Sequence, residues 1–579
     1  MANTSISLSF LFVSALFLGH QVLELEASHH IFETYQTTPK VLHKALVNQA
    51  YRTGYHFQPP KHWINDPNGP MVYKGIYHLF YQYNPKGAVW GNIVWAHSTS
   101  RDLVNWTAQK QAIFPSQQQA DINECWSGSA TILPGGKPVI LYTGVDSQEQ
   151  QVQNLAMPKN LSDPHLTEWI KYPKNPLMKA TPTNKINGSA FRDPTTAWQG
   201  PDNVWRVLIG SRVNKRGLAI LYKSKDFKHW KLGEKPLHSA EGTGMWECPD
   251  FFPVKTNGNE GLDTSARGEN VKYVLKNSLD DTKHDYYTVG TYDSVKDKYI
   301  PGKGMIEGDS GLRYDYGKFY ASKTFFDSEK QRRVLWGWIN ESSSVEDDVQ
   351  KGWSGVQAIP RHIWLDKSGK QLLQWPIKEI EKLRGNQVKW PSRILEGASQ
   401  LEVVGVTAGQ ADIEVGFEIN DLKNLEVLKE KQYDPQLLCS KNSASEKGEV
   451  GPFGFLTFAS NDLREYTAVF YRIYKHQNKH KVLLCSDQSR SSLNKHNDKT
   501  TYGAFVDVDP ANEQLSLRSL IDRSIVESFG GKGKAVITSR VYPTLAVDDQ
   551  IKLFVFNNGT SKVKISYLNA WSMNKAQIN

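Results

Sequence analysis

Three short acidic motifs contain the residues best suited to chemistry. They are Trp-Ile-Asn-Asp-Pro-Asn-Gly-Pro at 63–70, Phe-Arg-Asp-Pro at 191–194 and Trp-Glu-Cys-Pro-Asp at 246–250. Each has a carboxylate beside or near a proline, with an aromatic residue close by. A residue before proline is pushed toward an extended backbone, so Asp66 and Asp193 are predicted to be stiffly held. Fixed carboxylates among flat rings suit cleavage of a glycosidic bond, although a single Asp-Pro pair is equally typical of a turn.

The local environment of each carboxylate suggests a role. Glycosidic cleavage normally uses one carboxyl group as proton donor and a second as nucleophile or base, and a third can hold the sugar hydroxyls. Arg192 lies next to Asp193 and favours its ionised form. Glu247, between Trp246 and Cys248, fits the raised pKa that an acid catalyst needs. Asp66 then remains as the nucleophile.

A repeat built on tryptophan predicts how distant carboxylates can meet. Ser-Arg-Asp-Leu-Val-Asn-Trp, ending at Trp106, resembles Ser-Lys-Asp-Phe-Lys-His-Trp, ending at Trp230, and a looser copy ends at Trp169. The three tryptophans are 63 and 61 residues apart, and short apolar strands fall between them. Such a period over residues 50–380 predicts a β-propeller of five blades, in which equivalent positions converge on the central axis. The alternative is a coincidence of tryptophan spacing.

The remaining chain predicts a second all-β domain. After residue 385 the acidic motifs stop, and strand-like segments continue at the spacing of a β-sandwich, from 411–419 to 551–556. The predicted organisation is a propeller at 48–380 and a sandwich at 390–575, with 382–391 near the linker.

The N-terminus and the sequons predict export. Residues 6–18 form an apolar run of the length of a secretory signal, so a signal peptide is expected over 1–27. Cys439 and Cys485 are the expected disulfide pair, whereas Cys125 and Cys248 are expected to be buried thiols. Five Asn-x-Ser/Thr sequons agree with a secreted glycoprotein, at Asn105, Asn160, Asn187, Asn340 and Asn558.

Charge and composition narrow the partners. The formal net charge is +9, and removal of 1–27 deletes two glutamates, giving +11. The basic residues are scattered, which argues against nucleic acid and favours retention by an acidic cell-wall polysaccharide such as pectin. No later segment is apolar enough to cross a membrane. The histidines do not cluster like metal ligands, so neither a metal nor another cofactor is expected.

The motifs resemble those of the plant β-fructofuranosidases of glycoside hydrolase family 32: acid invertases, fructan exohydrolases and fructosyltransferases. The resemblance runs from Tyr-Arg-Thr-Gly-Tyr-His-Phe-Gln at 51–58 to Ser-Ile-Val-Glu-Ser-Phe at 524–529. It implies a five-bladed propeller followed by a sandwich, and a retaining reaction with carboxyls about 5–5.5 Å apart. Asp66 would be the nucleophile, Asp193 the transition-state stabiliser and Glu247 the acid/base. Residues implied around the fructosyl unit are Trp63, Asn65, Gln82, Trp90, Trp126, Ser127 and Arg192; each tryptophan has a packing role as its alternative.

Two features favour one branch of the family. Pro249 follows Glu247-Cys248, as in the cell-wall type, where vacuolar invertases typically carry valine. Asp280 and Lys283 resemble the pair that helps to hold the glucosyl half of sucrose, although by themselves they read as a solvated charged turn. We therefore predict a secreted, apoplastic invertase cleaving sucrose, with a protein inhibitor as a further candidate partner. The alternatives are a fructan exohydrolase and a catalytically silent sugar-binding protein.

Overall fold

A computed structural model describes residues 49–116, 120–429 and 433–579. The predicted signal peptide over 1–27 and the predicted domain start at 48 lie outside these residues. The described chain is almost entirely β, with 38 strands and two short α-helices. Five sheets follow one another over His62–Pro376, and two further sheets pack face to face over Arg384–Met573. The predicted five-bladed propeller followed by a β-sandwich is confirmed.

The consecutive strands of each blade pair in antiparallel fashion. The strands of blades one and two are β1 (His62–Tyr73), β2 (Ile76–Asn84), β3 (Val94–Ser100), β4 (Thr107–Ala108), β5 (Glu124–Leu133), β6 (Lys137–Val145), β7 (Gln151–Pro158) and β8 (Trp169–Lys171). Those of blade three are β9 (Phe191–Arg192), β10 (Trp198–Gln199), β11 (Trp205–Val213), β12 (Arg216–Ser224), β13 (Trp230–Leu232) and β14 (His238–Ala240).

The last two blades close the ring. Blade four contains β15 (Trp246–Lys255), β16 (Val271–Leu279), β17 (His284–Asp293), β18 (Lys298–Pro301) and β19 (Leu312–Arg313). The final propeller segment contains β20 (Tyr320–Asp327), β21 (Arg332–Ile339), β22 (Trp353–Ser354), β23 (Val356–Gln357), β24 (Arg361–Leu365) and β25 (Leu372–Pro376). Strand β22 leaves blade five and pairs in parallel with β1, aligning Trp353 with His62, so the end of the propeller is fastened to its beginning.

The tryptophan repeat marks the turn into the outer strand of each of the first three blades. Trp169 begins β8, Trp230 begins β13, and Trp106 immediately precedes β4. The turns before Trp106 and Trp230 are built alike. In each, a serine hydroxyl accepts from the backbone N–H three residues on, and that residue, Leu103 or Phe227, has a left-handed φ of 63° or 64°. Because the same turn chemistry recurs in both blades, the spacing could be recognised in the sequence.

The sandwich consists of a seven-stranded and a six-stranded sheet. The first contains β26 (Arg384–Trp390), β27 (Arg393–Leu395), β29 (Gln410–Glu418), β34 (Leu515–Asp522), β35 (Ile525–Gly530), β36 (Ala535–Arg540) and β38 (Val563–Met573). The second contains β28 (Ser399–Glu402), β30 (Phe453–Ala459), β31 (Thr467–His476), β32 (Lys479–Asp487), β33 (Tyr502–Val506) and β37 (Lys552–Asn557).

The segment expected near a linker is a structured edge strand. Strand β26 pairs with β38, and the Arg384 guanidinium stacks 3.6 Å from the Trp571 ring centroid. Its exposed, polar sequence reflects this edge position in the sheet. The two domains also share an apolar core, in which Phe529 and Val536 of the sandwich pack with Tyr55 and Ile359.

The helices and cysteines are minor elements of this fold. Helix α1 (Val345–Lys351) begins with a capping box between Ser344 and Asp347, and α2 (Pro435–Lys441) begins at the cap Asp434. Cys439 on α2 is bonded to Cys485 on β32, whereas Cys125 and Cys248 are buried free thiols. No helix in the described ranges is long and apolar enough to cross a membrane.

Candidate active site

The inner strands of four blades are irregular where they carry the predicted site residues. The antiparallel register shifts between Ile64 and Pro67 in β1, between Trp126 and Gly128 in β5, and between Glu247 and Asp250 in β15. A fourth shift begins at Tyr320 in β20. A bulge interrupts the alternation of a strand and re-aims a side chain, which is why bulges are common beside active sites. These bulges expose Asp66, Ser127 and Glu247 toward one another.

Asp66 is held by a chain of neutral hydrogen-bond donors. Its Oδ2 accepts from the Ser127 hydroxyl at 2.5 Å, and its Oδ1 accepts from Asn65 Nδ2 at 3.1 Å. Gln82 ties these two donors together, since its Nε2 donates to Ser127 Oγ at 2.7 Å and its Oε1 accepts from Asn65 at 2.5 Å. Trp63 completes the chain by donating from Nε1 to Asn65 Oδ1 at 2.9 Å. The carboxylate is thereby fixed in orientation without a bonded cation.

Cys248 connects all three carboxylates. Its backbone N–H donates to Asp193 Oδ2 at 2.8 Å, and its thiol donates to Asp66 Oδ2 at 3.4 Å. Glu247 precedes it directly in β15. The three motifs, far apart in sequence, therefore meet around one residue. Cys248 itself has a left-handed φ of 44°, a strained conformation that the bulge maintains.

Asp193 departs from the backbone expected before a proline. Its φ is 67°, so the prediction of an extended conformation is wrong at this position. The turn is supported by its own backbone N–H, which donates to Thr143 Oγ1 at 2.8 Å. This left-handed turn buries the carboxylate, which is only 3% exposed, and aims it at the backbone N–H of Cys248.

Glu247 is the carboxylate that bonds to cations. Arg192 donates to its Oε1 from Nη2 at 2.8 Å and from Nε at 3.2 Å. Lys283 Nζ lies 3.7 Å from Oε2, and the Tyr320 hydroxyl donates a short hydrogen bond to the same oxygen. Arg192, which the sequence placed beside Asp193, therefore has its direct ion pair with Glu247.

The pKa order is the reverse of the one expected from the sequence. Burial, reinforced by the charge of Asp193, raises the pKa of Asp66 to about 6. Burial also raises the pKa of Asp193, because it outweighs the attraction of Arg192. Burial would raise the pKa of Glu247 as well, but Arg192 and Lys283 outweigh it and lower that pKa. The raised pKa values are therefore those of Asp66 and Asp193, and the expectation of a raised pKa at Glu247 is wrong.

Aromatic rings form the walls around these carboxylates. Trp90 is 40% exposed, and its ring centroid lies 6.1 Å from that of Trp126 in an edge-to-face pair. Trp126 is positioned by its Nε1, which donates to Glu124 Oε2 at 2.6 Å. Trp63 packs edge-to-face on Trp338 at 5.7 Å. Rings that are half exposed and fixed by hydrogen bonds or packing suit the apolar face of a sugar.

Asp280 and Lys283 lie at the same site. They pair with each other, and Asp280 Oδ2 also accepts from Arg192 Nη2 at 3.4 Å. Both side chains are partly exposed, at 36% for Asp280 and 56% for Lys283. Through Arg192 and Lys283 this pair is continuous with Glu247. The reading of a solvated charged turn therefore does not describe it.

Several contributors were missed from the sequence. Tyr320 on β20 contacts Glu247, Thr143 on β6 supports Asp193, and Gln357 donates from Nε2 to the Asn65 carbonyl at 2.6 Å. The position of Tyr320 at the start of the innermost strand of blade five was the available signal, because Asp66 and Glu247 also lie near the starts of inner strands. Across the described residues no group of three or more His, Cys, Asp or Glu side chains is placed to hold a metal ion.

Comparison with known proteins assigns the family. The glycosyl hydrolases family 32 N-terminal domain matches residues 56–376, and the family 32 C-terminal domain matches 379–572. An insoluble-isoenzyme β-fructofuranosidase of Arabidopsis thaliana is 63% identical, with 97% of each chain covered. The fructan 6-exohydrolase of Beta vulgaris is 62% identical, covering 92% of this chain and 88% of that protein.

A solved structure agrees with both domains. The fructan 1-exohydrolase IIa of Cichorium intybus has a TM-score of 0.89 at 54% identity, covering 92% of this chain and 98% of its own. The exo-inulinase of Aspergillus awamori shares the fold, with a TM-score of 0.69 at 22% identity over 91% of this chain and 99% of its own. The chain belongs to glycosyl hydrolase family 32 and is a glycosidase.

Proposed function

We propose that this protein hydrolyses sucrose to glucose and fructose by a retaining double displacement. The observation that carries the proposal is the meeting of Asp66, Asp193 and Glu247 around Cys248. Asp66 attacks the anomeric carbon of the fructosyl unit while Glu247 protonates the departing glucosyl oxygen. Glu247 then takes a proton from water, which cleaves the fructosyl–Asp66 ester. Asp193 binds fructosyl hydroxyls as positive charge develops on the ring.

The site supplies the proton donor and the orientation that these two reaction steps need. Ser127 and Asn65 donate to the two oxygens of Asp66, and a carboxylate held at both oxygens attacks along a fixed direction. Tyr320 and Arg192 hold Glu247 at the opposite side of the Cys248 turn. Catalysis requires the proton on Glu247 and a charged Asp66, which is the less favoured arrangement in the free site. Binding of a neutral sugar between the two groups is the step that redistributes this proton.

Preference for sucrose over fructan is proposed from the Asp280–Lys283 pair. Sequence identity alone does not separate these activities, because a cell wall β-fructofuranosidase of Pisum sativum and the Beta vulgaris fructan 6-exohydrolase are both 62% identical. Asp280 offers a carboxylate to sugar hydroxyls next to the acid Glu247, where the leaving group must lie. Arg192 and Lys283 fix its direction. A compact glucosyl unit can be held there by its hydroxyls.

The test compares hydrolysis rates on sucrose, inulin and levan at acidic pH. The wild-type protein is expected to cleave sucrose fastest, and Asp280→Ala is expected to lose about 10–100-fold in kcat/KM on sucrose and much less on inulin. Product analysis should show glucose and fructose, with transferred fructosyl products absent at low sucrose. Faster cleavage of inulin or levan by the wild type would assign the alternative, a fructan exohydrolase. Full hydrolytic activity in Glu247→Ala would remove the mechanism.

We also propose that the protein is secreted to the cell wall. Relatives in Arabidopsis thaliana and Pisum sativum are named insoluble and cell wall isoenzymes, and the +9 formal charge favours an acidic polysaccharide as a retaining partner. A protein inhibitor stays a candidate partner. A tagged full-length chain is expected in the wall fraction and released by salt. Recovery in the soluble fraction at low salt would overturn retention by charge.

Glycosylation is proposed at three of the five sequons. Asn105 Nδ2 donates to Asp102 and Asn558 Nδ2 donates to the Ala444 carbonyl, so both amides are engaged within the fold. The amide nitrogens of the other three have no hydrogen-bond partner in the described chain, and their side chains are exposed: Asn160, Asn187 and Asn340. Mass spectrometry of tryptic glycopeptides is expected to find glycans on these three. Full occupancy at Asn558 would contradict the assignment.

A further inference from the structure

A basic groove runs along the outer edge of the propeller, between blades three and four. It has a volume of about 1220 Å³ and is lined by β12, β13 and the β18 edge, together with the loops that join them. A backbone hydrogen bond from Tyr299 N–H to the Leu237 carbonyl, at 3.2 Å, joins the two walls. None of the catalytic or sugar-site residues described above lines this groove.

Positive charge is concentrated in this groove beyond what its own acids neutralise. Three carboxylates line the groove, together with six lysines: Lys223, Lys225, Lys231, Lys235, Lys296 and Lys298. Lys223 and Lys231 are direct cross-strand partners on β12 and β13, an arrangement of like charges that costs stability. Such an arrangement is relieved by a bound anion.

Most of these lysines have no acidic partner within the described chain. Lys223 pairs with Asp297 and Lys296 with Asp293, but Asp297 is shared with Arg206. No ion pair or hydrogen bond within the described ranges engages the ammonium groups of the other four: Lys225, Lys231, Lys235 and Lys298. The groove therefore has cations available for a ligand.

We propose that this groove binds a linear acidic polysaccharide, a polyuronate with a carboxylate on successive sugars. Spaced ammonium groups suit spaced carboxylates, and the apolar side chains Leu232 and Val295, 40% and 86% exposed, offer contact to sugar rings. A second groove of about 580 Å³ shares Leu232 and Lys235 and adds Lys185 and Arg212. The basic path therefore continues past the first groove, as a chain-like ligand requires.

The lining chemistry argues against a nucleic acid in the same place. Single-stranded nucleic acids are held by exposed aromatic rings on which bases stack, and phosphates favour the forked donors of arginine. The large groove contains no arginine, and its tyrosine, Tyr299, is buried. This site deepens the proposed wall association and does not depend on which sugar the active site cleaves.

The test uses two matched quadruple variants of the full-length protein. The groove variant carries K225Q, K231Q, K235Q and K298Q. The control carries K137Q, K367Q, K389Q and K495Q, four exposed lysines outside both grooves with the same change of charge. Dissociation constants for polygalacturonate, for fully methyl-esterified pectin and for single-stranded DNA are measured at pH 5 and low salt. Sucrose hydrolysis is measured in parallel and is expected to be unchanged in both variants.

The wild type is expected to bind polygalacturonate and not the esterified, uncharged polymer. The groove variant should bind at least about tenfold more weakly, since one lysine near an anionic surface is worth on the order of fivefold in affinity. The control should differ from the wild type by less than about twofold. Equal losses in both variants would show that net charge alone is responsible and would overturn the groove. Tighter binding of DNA than of polygalacturonate would overturn the choice of polymer.

Discussion

Two of the buried carboxylate clusters in the described chain differ in how their charges are compensated. The interdomain cluster (His56, Asp315, Arg361, Asp522 and Glu527) lies where the sandwich packs on the propeller. Asp522 accepts from three successive backbone N–H groups, at Gly54, Tyr55 and His56, and from the His56 ring. Arg361 donates to both Asp315 and Glu527, at 2.8 and 2.7 Å. The cluster is saturated with donors and cations.

In the active site, Asp66 and Asp193 have fewer hydrogen-bond donors and no bonded cation. Asp66 accepts from a hydroxyl, an amide and a thiol, none of them charged, and Asp193 accepts one backbone N–H. The pKa of Asp66 accordingly rises to about 6, whereas hydrogen bonds and nearby cations outweigh burial and lower the pKa values of Asp522 and Glu527. Carboxylates with many hydrogen-bond donors and cations hold the two domains together. Carboxylates with few of them keep the raised pKa values that proton transfer needs.

The largest expected effect is on catalysis. Asp66→Asn should lower kcat on sucrose by at least about 10⁴-fold, because the amide is no nucleophile, and Glu247→Gln by about 10²–10⁴-fold, because the acid is lost. The thermal midpoint should stay equal or rise in Asp66→Asn, since a buried like charge is removed. Steady-state kinetics and calorimetry check both halves.

The matched control is Asp163→Asn, in another Asp-Pro pair. Asp163 caps the turn before Trp169 by accepting from the backbone N–H groups of His165 and Thr167. Its kcat should be unchanged, with only a small loss of stability. A large loss of kcat in Asp163→Asn would show that Asp-Pro turns support activity generally and would weaken the contrast between the two clusters.

The opposite pattern is expected from Arg361→Met. Removing the cation leaves Asp315 and Glu527 buried without it, which costs about 3–5 kcal/mol in the free energy of unfolding. The folded fraction should retain wild-type kcat, because Arg361 does not contact the catalytic groups. Denaturant unfolding and activity per folded molecule test this, with exposed Arg101→Met as the near-neutral control. A parallel fall of kcat and stability would mean that the interdomain cluster also shapes the active site.

A smaller effect is expected in the pH profile of kcat/KM. One proton shared by Asp66 and Glu247 is needed, so activity should fall above about pH 6, where that proton is lost, and fall again at low pH, where both groups are protonated. Lys283→Met removes a cation 3.7 Å from Glu247 and should move the acidic limb to higher pH by up to about one unit. Lys110→Met, on an exposed pair with Glu168, should leave the profile unchanged. An acidic limb unmoved in Lys283→Met would show that Lys283 does not set the charge of Glu247.

Much of the fold could be predicted because its signals are local. The turn before Trp106 repeats before Trp230 with the same serine and aspartate acceptors, and this chemistry is visible in one copy as in the next. The edge strand β26 could not be recognised, because an exposed edge has little alternation and its partner β38 lies about 180 residues later in the chain.

The meeting of the three acidic motifs could be predicted from the sequence, but the charge state of each carboxylate could not. Asp66, Asp193 and Glu247 were identifiable as carboxylates near prolines and rings. Which of them bonds to Arg192 depends on how blades three and four meet, and sequence adjacency pointed to Asp193 when the ion pair is with Glu247. The Asp193 carboxylate instead accepts from the backbone N–H of Cys248, while the Arg192 guanidinium bonds to Glu247.

The smallest expected effect is the pH dependence of stability set by His56. Burial opposes a charged ring, but hydrogen bonds of 2.9 Å from its two nitrogens to Asp522 and Glu527 outweigh burial and raise its pKa. The stabilisation that His56 contributes is therefore complete below its unfolded pKa of 6.5 and is lost as pH rises through the raised folded pKa.

The lowered pKa values of Asp522 and Glu527 act in the other direction. The stability that these two carboxylates contribute is complete above about pH 4.5 and is lost on further acidification. Together, His56, Asp522 and Glu527 contribute most to stability between about pH 4.5 and 6.5. His56→Gln should be less stable at pH 5.5 and should lack the decline above pH 6.5, which for one proton is at most about 1.4 kcal/mol per pH unit. Unfolding free energies from pH 4 to 9 measure this slope, and an identical slope in His56→Gln would place the titrating group elsewhere.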